Sequence, residues 1–327
     1  MSKLPFEEKE WKILVKKESE TSDKYGCRPE ERPVEKLIEY GVVNIDKPAG
    51  PSSHQVSAYV KQILGIKKAG HSGTLDPAVT GVLPVAVGKG TRVAHALLSA
   101  GKEYICLMHL HGEVPEESIL ETLEAFIGEI TQLPPVRSAV KRQHRKRRVY
   151  YIDILDIKGK DVLFSVGTQA GTYIRKLCHD MGEVLGTGAH MAELRRTKAG
   201  PFNENTICTL QDLSDACHVL KEGDETQLRK IIQHLETGVK HLPKVWVTDT
   251  TVDTLCHGAS LKVPGIAKLH DGIKKDDMVA VMTLKDELVM TGLAQCTSNE
   301  MLVWDKGVAA KPLQVFMQPG TYPKIDK

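Results

Sequence analysis

The sequence predicts an α+β fold in two domains, and three observations carry that prediction. Along the first three quarters of the chain, segments whose apolar residues have the spacing of a helix alternate with segments whose apolar residues have the spacing of a strand. A proline segment at residues 242–244 then marks a linker, and short apolar strand patterns follow it. The chain has 327 residues, enough for about two domains, and 41% of them are hydrophobic, which supplies a core for each.

Charge and cysteine content narrow the class of protein. The formal net charge is only +2, so any affinity for nucleic acid has to come from a local basic patch. The seven cysteines form no C-x-x-C pair, which argues against a disulfide framework and against a zinc site, and favours the reducing cytosol or nucleus. The charged N-terminus has no apolar signal segment, and no apolar run approaches the length of a membrane span, so we expect no membrane partner.

The N-terminal part of the chain contains a charged arm, a strand and a helix. Residues 1–36 mix acids and bases around an apolar patch at Trp11, so we expect a charged arm that docks on the C-terminal domain. Residues 41–46 form an apolar strand pattern. Ser52 or Ser53 caps a helix that begins near Gln55 and has one apolar face.

The remaining elements follow from the same periodicities. The predicted segments, in order, are a buried strand over 82–87, a short helix over 91–98, a strand over 102–108, a helix over 116–127, a hairpin of 152–157 and 162–167, a strand with a basic outer face over 191–202, helical structure over 209–240, and strands over 244–247, 259–263, 278–284 and 288–294.

The chain is organised around residues 71–92, where a Gly-, Pro- and Thr-rich loop enters the strand at 82–87. One acid, Asp76, lies at the mouth of that loop, and Pro77 biases it towards an extended backbone. Two interpretations remain open from the residues alone: an aspartate that caps its own turn, or a nucleophilic carboxylate on a rigid loop. The glycine spacing at Gly81 and Gly88 does not fit a phosphate-binding Walker loop.

The stretch from Gly70 to Val85 resembles, without a break, the catalytic-aspartate motif of the TruB-like pseudouridine synthases. The resemblance implies an enzyme that isomerises uridine to pseudouridine in RNA, with Asp76 as nucleophile and no cofactor or metal. It also implies the architecture. A catalytic domain over 37–242 would hold a mixed, mainly antiparallel sheet, and a β-barrel PUA domain over 243–322 would bind RNA.

Two further segments match the same family. Lys102-Glu103-Tyr104 resembles its second motif, which implies that Tyr104 stacks on the target base. Residues 172–177 resemble its third motif, which implies that Arg175 pairs with the catalytic aspartate, with Tyr173 and Leu177 as supporting residues. A guanidinium beside the acid favours its ionised, attacking form.

One more segment that resembles this family lies before the loop of Asp76. Lys47 and His54 belong to a Lys-Pro-x-Gly segment that is similar to the family's, and the resemblance implies that they face RNA. Without the resemblance both would be ordinary loop residues.

Residues 134–150 carry seven Lys/Arg residues and no acid. Such a run is either a solvated face or a phosphate clamp, and the neighbouring tyrosines favour the clamp. It resembles the family's mobile thumb loop. The expected RNA contacts are Lys141, Arg142, Arg145, Lys146, Arg147 and Arg148.

Within the family, the charged arm, the short thumb and the PUA domain look most like archaeal relatives of dyskerin, the catalytic subunits of box H/ACA guide ribonucleoproteins. This implies an H/ACA guide RNA, a substrate rRNA or tRNA, a small zinc-binding protein, a Gar-type protein and a kink-turn-binding ribosomal protein as partners. The archaeal cytoplasm is the expected location, or the nucleolus in a eukaryote. A stand-alone tRNA enzyme and a non-catalytic RNA-binding or ribosome-assembly protein remain alternatives.

Overall fold

The computed structural model describes residues 2–134 and 142–324 and has the predicted α+β class. The strands are β1 (Ile13–Val15), β2 (Gly41–Lys47), β3 (Ala69–His71), β4 (Thr80–Val87), β5 (Lys102–Leu110), β6 (Gly128–Gln132), β7 (Arg145–Lys158), β8 (Asp161–Thr168), β9 (Ala189–Ala199), β10 (Phe202–Asn203), β11 (Ile232–His234), β12 (Lys244–Val247), β13 (Leu261–Lys262), β14 (Ile266–His270), β15 (Met278–Met282), β16 (Leu288–Ala294) and β17 (Val308–Val315). The helices are α1 (Val34–Tyr40), α2 (Ser53–Ile63), α3 (Ala94–Leu98), α4 (Glu116–Ala125), α5 (Ile174–Val184), α6 (Leu210–Lys221), α7 (Thr226–Ile231), α8 (Asp249–Cys256) and α9 (Ser298–Val303).

A ten-stranded sheet forms the larger part of the structure. Its strands follow the order β11-β2-β4-β9-β5-β8-β7-β6, with β3 added at β4 and β10 added at β9. The pair β4–β9 is parallel and the other pairs are antiparallel. Strand β9 therefore separates the strand that follows the Asp76 loop from the strand that carries Tyr104. This junction brings the predicted site together.

Apolar side chains on the two halves of this sheet form separate cores. Helix α5 packs on β5 and β8 through Leu177, Cys178 and Met181, all with 0% exposure. Helix α2 packs its apolar face, including Val56 and Val60, against the strands β2 and β4. Both helices are thus held on the sheet by buried apolar area.

The second sheet has seven strands in the order β1-β14-β12-β15-β16-β17-β13. Strand β1 belongs to the N-terminal arm and pairs with β14, so that Ile13 lies opposite His270. A shared apolar cluster joins the two sheets, with Val42 from the first and Trp246 and Phe316 from the second. The arm, the first sheet and the second sheet therefore share packed interfaces.

A buried ion pair adds to that junction. Arg32 of the arm donates two hydrogen bonds to Glu236, at 2.7 and 2.9 Å, and Glu236 also accepts from the backbone N–H of Leu288 at 2.9 Å. Burial raises the pKa of the Glu236 carboxyl, but the contacts with His234, Arg32 and Leu288 outweigh it and lower that pKa to about 2.

Two expectations for this part of the chain are wrong. The helical prediction over 209–240 fails after Ile231, because residues 232–234 pair with the edge of β2 and residues 235–239 form a 3₁₀ turn. The basic run is a loop only in part, because Arg145 to Val149 belong to strand β7 and pair with β6. In both places pairing with a strand distant in sequence overrides local propensity.

In the described ranges, the helices fall short of the length and apolarity that a bilayer crossing demands.

Candidate active site

The loop between β3 and β4 presents Asp76 at the surface, with 53% of its side chain exposed. Its neighbour Leu75 is buried and anchors the loop. Ser53, the first residue of α2, accepts a hydrogen bond from the Leu75 N–H at 2.8 Å and donates one to its carbonyl at 3.1 Å. Gly73 has φ +131°, a backbone conformation that a side chain would strain. The acid is therefore exposed while its backbone is held from beneath.

Lys47 fixes the other side of the same loop. Its side chain is fully buried, and its ammonium donates to the carbonyl oxygens of Pro48, Pro77 and Val79 at 2.8–2.9 Å. Burial lowers the pKa of this lysine, and the charge of Asp76 opposes that shift. The prediction that Lys47 faces RNA is wrong, because all three ammonium protons are used inside the protein.

Arg175 reaches Asp76 from the first turn of α5. Its Nη2 donates a hydrogen bond to Asp76 Oδ2 and forms an ion pair with it. Both side chains remain more than half exposed, at 57% and 53%. The pair is consequently open to an incoming substrate, and the carboxylate lies next to a guanidinium.

Tyr173 and Leu177, on the same segment, have different surroundings. Tyr173 is half-buried at the N-cap of α5, next to Arg175. Leu177 has 0% exposure and lies in the core under the sheet, so it offers no surface on which a base could stack.

Sequence reasoning overlooked Gln132 at the end of β6. Its side chain is buried, accepts from the Tyr173 N–H at 3.0 Å and donates to the Tyr173 carbonyl at 3.1 Å. This reciprocal pair joins the β6–β7 hairpin to the start of α5, two residues before Arg175. A lone glutamine at a strand end carries no signal that distinguishes it from a surface residue.

His54 and His71 lie against each other beside the loop, with ring centroids 4.8 Å apart. His54 is exposed at the start of α2. The pKa of His71 is lowered to about 4, mainly by burial and secondarily by the neighbouring His54 and Arg196. His71 is therefore neutral at physiological pH.

The basic residues lie on the β6–β7 hairpin or just before it. Arg142 and Arg148 are exposed, and Lys146 is exposed but pairs with Glu129 at 2.7 Å. Arg147 donates to the carbonyl of Gly171 at 3.2 Å, and Arg145 is half-buried at the start of β7. Lys141 lies outside the described residues.

The second residue that sequence reasoning missed is Arg196 of β9, which has 1% exposure instead of a place on a basic outer face. It lies between Gly81 of β4 and Tyr104 of β5 in the strand register. Successive residues of a strand point to opposite faces. The neighbouring pair Arg195 and Arg196 was therefore a usable signal that one arginine faces inward.

No cluster of three or more His, Cys, Asp or Glu side chains in residues 2–134 and 142–324 has the geometry to hold a metal ion. The chemistry available at the described site is that of a carboxylate, a guanidinium and a phenol.

Comparison with known families covers nearly the whole chain. Residues 61–174 match the N-terminal domain of TruB family pseudouridylate synthases, and residues 175–240 match the tRNA pseudouridylate synthase B C-terminal domain. Residues 1–57 match the DKCLD domain, and residues 243–316 match the PUA domain.

Full-length relatives are similar over almost their entire length. The probable tRNA pseudouridine synthase B of Methanopyrus kandleri is 55% identical over 98% of this chain and 95% of its own. That of Pyrococcus furiosus is 58% identical over 96% of this chain and 93% of its own.

Two solved structures resemble this one closely. A chain of the crystal structure of a Cbf5–Nop10–Gar1 complex has a TM-score of 0.95 and 57% identity, with 98% of each chain covered. A chain of an H/ACA ribonucleoprotein bound to a substrate RNA that contains 2′-deoxyuridine has a TM-score of 0.92 and 54% identity over 98% of this chain and 99% of its own.

Proposed function

This chain belongs to the TruB family of pseudouridine synthases, and from that premise we propose that it isomerises uridine in RNA under the direction of an H/ACA guide RNA. The observation that carries the proposal is the ion pair of Asp76 and Arg175, which is half-exposed on a loop held by buried contacts. An acid in that setting is accessible to a nucleotide and has a cation beside it.

In the proposed reaction the target uridine leaves its helix or loop, because a stacked base shields the atoms that react. Asp76 attacks either the sugar C1′ or the base. The bond between N1 and C1′ breaks, the uracil turns, and a bond forms between C5 and C1′. The bond between Asp76 and the nucleotide breaks in the same sequence, so that the free carboxylate is restored. N1 gains a proton and the hydrogen on C5 is released to solvent, so the isomerisation balances without a co-reactant.

The residues have distinct proposed roles in this sequence of steps. Asp76 is the nucleophile, Arg175 orients it, and Tyr104 holds the base by its ring and aids proton removal. Tyr173 supports the pair from the N-cap of α5, and His54 lies on the exposed side of the loop, where RNA would approach. Arg142 and Arg148 supply free positive charge to phosphates, which positions RNA without reading its sequence.

The partners follow from the structures that this chain resembles. Nop10 and Gar1 accompany Cbf5 in one of them, and a substrate RNA is bound in the other. We propose equivalent partners here, with the small zinc-binding and kink-turn-binding proteins that the family resemblance implies.

A test of the chemistry uses release of tritium from RNA labelled at uridine C5. Asp76→Asn should abolish release in the assembled complex while RNA affinity stays within about threefold, since the amide is nearly isosteric but is not a nucleophile. Asp156→Asn, an exposed acid paired with Lys158 at the far end of β7, is the matched control and should retain wild-type release. Wild-type activity in Asp76→Asn would refute the catalytic assignment and favour an RNA-binding role.

A second test concerns guidance. The relatives named as probable tRNA pseudouridine synthase B favour a stand-alone tRNA activity as the second candidate. Pseudouridine is mapped on rRNA and tRNA with the purified chain alone, and with guide RNA and partner proteins added. Modification only in the presence of the guide supports the first candidate, and equal tRNA modification by the chain alone supports the second.

A further inference from the structure

Arg196 has a position that the proposed mechanism does not use. It is a guanidinium with 1% exposure in the interior of the ten-stranded sheet, between the strand that follows the Asp76 loop and the strand of Tyr104. Tyr104 lies directly opposite it across the β5–β9 pair, so both side chains leave the same face of the sheet.

The contacts of this guanidinium reach the two halves of the site. Its Nε donates to the carbonyl of Val82 at 2.7 Å, and its Nη2 donates to the carbonyl of Gly73, in the Asp76 loop, at 3.3 Å. Tyr104 lies opposite it in the strand register, close enough to interact with its charge. One side chain therefore hydrogen-bonds the loop before Asp76 and the strand after it, and it faces the aromatic residue expected to hold the base.

The chemistry of the two groups limits how they can interact. A guanidinium has five N–H donors and no acceptor, so in a hydrogen bond between them the phenol oxygen of Tyr104 accepts from Arg196. The phenol proton is then left for donation to another acceptor, such as an oxygen of the bound base. A lysine would supply charge, but it lacks the planar fork that reaches two acceptors in fixed directions.

Core packing alone does not explain this residue. Burial of a cation is costly unless partners compensate it, and an apolar residue of similar volume often replaces a buried charge without loss of stability. The hydrogen-bond partners named above are neutral. A buried charged group in contact with a candidate site is a mark of a functional role.

We propose that Arg196 is a positioning residue that holds the Tyr104 hydroxyl at a set place relative to the Asp76 loop. The inference rests on the proposed function, since it concerns the same reaction. In this role Arg196 affects the orientation of the base during the chemical step and does not affect RNA binding.

The test is a double-mutant cycle with Arg196→Lys, Tyr104→Phe and the double variant, measured as single-turnover rates in the guide-loaded complex. Arg196→Lys should lower the rate at least about tenfold, since a displacement of about 1 Å can cost ~10²-fold, while the Kd for RNA stays within about threefold. In the Tyr104→Phe background the same change should cost less than about threefold. Arg229→Lys, a partly buried arginine of α7 that pairs with Glu225, is the matched control.

The possible outcomes distinguish a failure of the positioning role from a failure of the proposed function. If wild-type complex releases tritium and Arg196→Lys retains the wild-type rate, or if the two losses multiply, the positioning role is overturned and the proposed function stands. If wild-type complex is inactive on rRNA and tRNA with every guide tried, the proposed function falls and the inference falls with it.

Thermal melts accompany each variant, because a buried substitution can unfold the chain. If Arg196→Lys melts below the assay temperature, Arg196→Gln, which keeps a donor but no charge, takes its place in the cycle. Tyr104→Phe should lower the single-turnover rate about tenfold with an unchanged Kd. Because Tyr104 belongs to the proposed mechanism itself, only an unchanged rate in this variant bears on Arg196, and it would overturn the positioning role.

Discussion

Arg175 donates its hydrogen bond to Asp76 across a separation of 99 residues, from a helix on one side of β9 to a loop on the other. The pair forms because α5 is held by buried apolar side chains and the loop by Ser53 and Lys47. Each partner stands on a rigid support, and the contact itself remains open to solvent. Such preorganisation of an exposed pair is what a nucleophile for a large substrate requires.

Removal of the guanidinium should therefore affect the chemical step more than binding. We expect Arg175→Met to lower the single-turnover rate about 100-fold, the magnitude typical of a lost charge-stabilising donor, with the Kd for RNA within about threefold. Lys176→Met is the control, since Lys176 is the next residue of α5 and pairs with Asp180 instead. A rate loss equal in both variants would contradict a specific role for Arg175.

Because Lys47 binds three carbonyl groups around the Asp76 loop, we expect its loss to affect both the order of that loop and the free energy of unfolding. Lys47→Met leaves three carbonyl oxygens without their donor, and we expect a loss of about 2 kcal/mol in the free energy of unfolding. Activity should fall further than stability requires, because the loop that carries Asp76 loses a tether. Urea denaturation and single-turnover rates measure the two effects.

The control for that prediction is Lys61→Met, which removes an exposed lysine from α2. It should leave the urea midpoint and the rate nearly unchanged. Retention of both values in Lys47→Met as well would show that the loop is ordered without the buried ammonium.

The lowered pKa of Glu236 leads us to expect that the free energy of unfolding depends on pH. Its pKa is lowered from 4.5 to about 2 in the folded protein, so the carboxylate stabilises the fold above the pKa of the unfolded chain. That stabilisation, on the order of 3 kcal/mol, is lost as the pH falls from about 5 towards 2.

The measurement compares wild type with Glu236→Gln in urea at several pH values. The difference in the free energy of unfolding should be largest near pH 7 and shrink below pH 5. A difference that stays constant down to pH 2 would contradict the lowered pKa of Glu236.

The β6–β7 hairpin predicts a dependence of RNA affinity on salt. Arg148 is an exposed cation, and its replacement by alanine should reduce the slope of log K against log salt by about 0.7–0.9. Lys158→Ala, at the other end of β7 and paired with Asp156, should leave the slope unchanged. Equal slopes in the two variants would place RNA elsewhere on the protein.

Much of the fold can be predicted from the local spacing of apolar residues in the sequence. The strand at 82–87, the helix at 116–127 and the hairpin of β7 and β8 each have an apolar period of their own, and the structure confirms these elements within a few residues. Residues 145–149 and 232–240 take their conformation from partner strands or distant packing, which no local window contains. The structure also has strands β6, β14 and β17 and helices α8 and α9, which the local patterns do not single out.

By itself the sequence predicted many of the elements and the α+β class, and it drew attention to Asp76, because these depend on residue types at short spacing. Only the tertiary structure decided that Lys47 and Arg196 are buried, that Leu177 lies in the core, and that Gln132 joins the hairpin to α5. Burial and hydrogen-bond partners come from segments distant in the chain. The physical reason is that a side chain's environment is set by the strands and helices packed around it, and local sequence does not encode which those are.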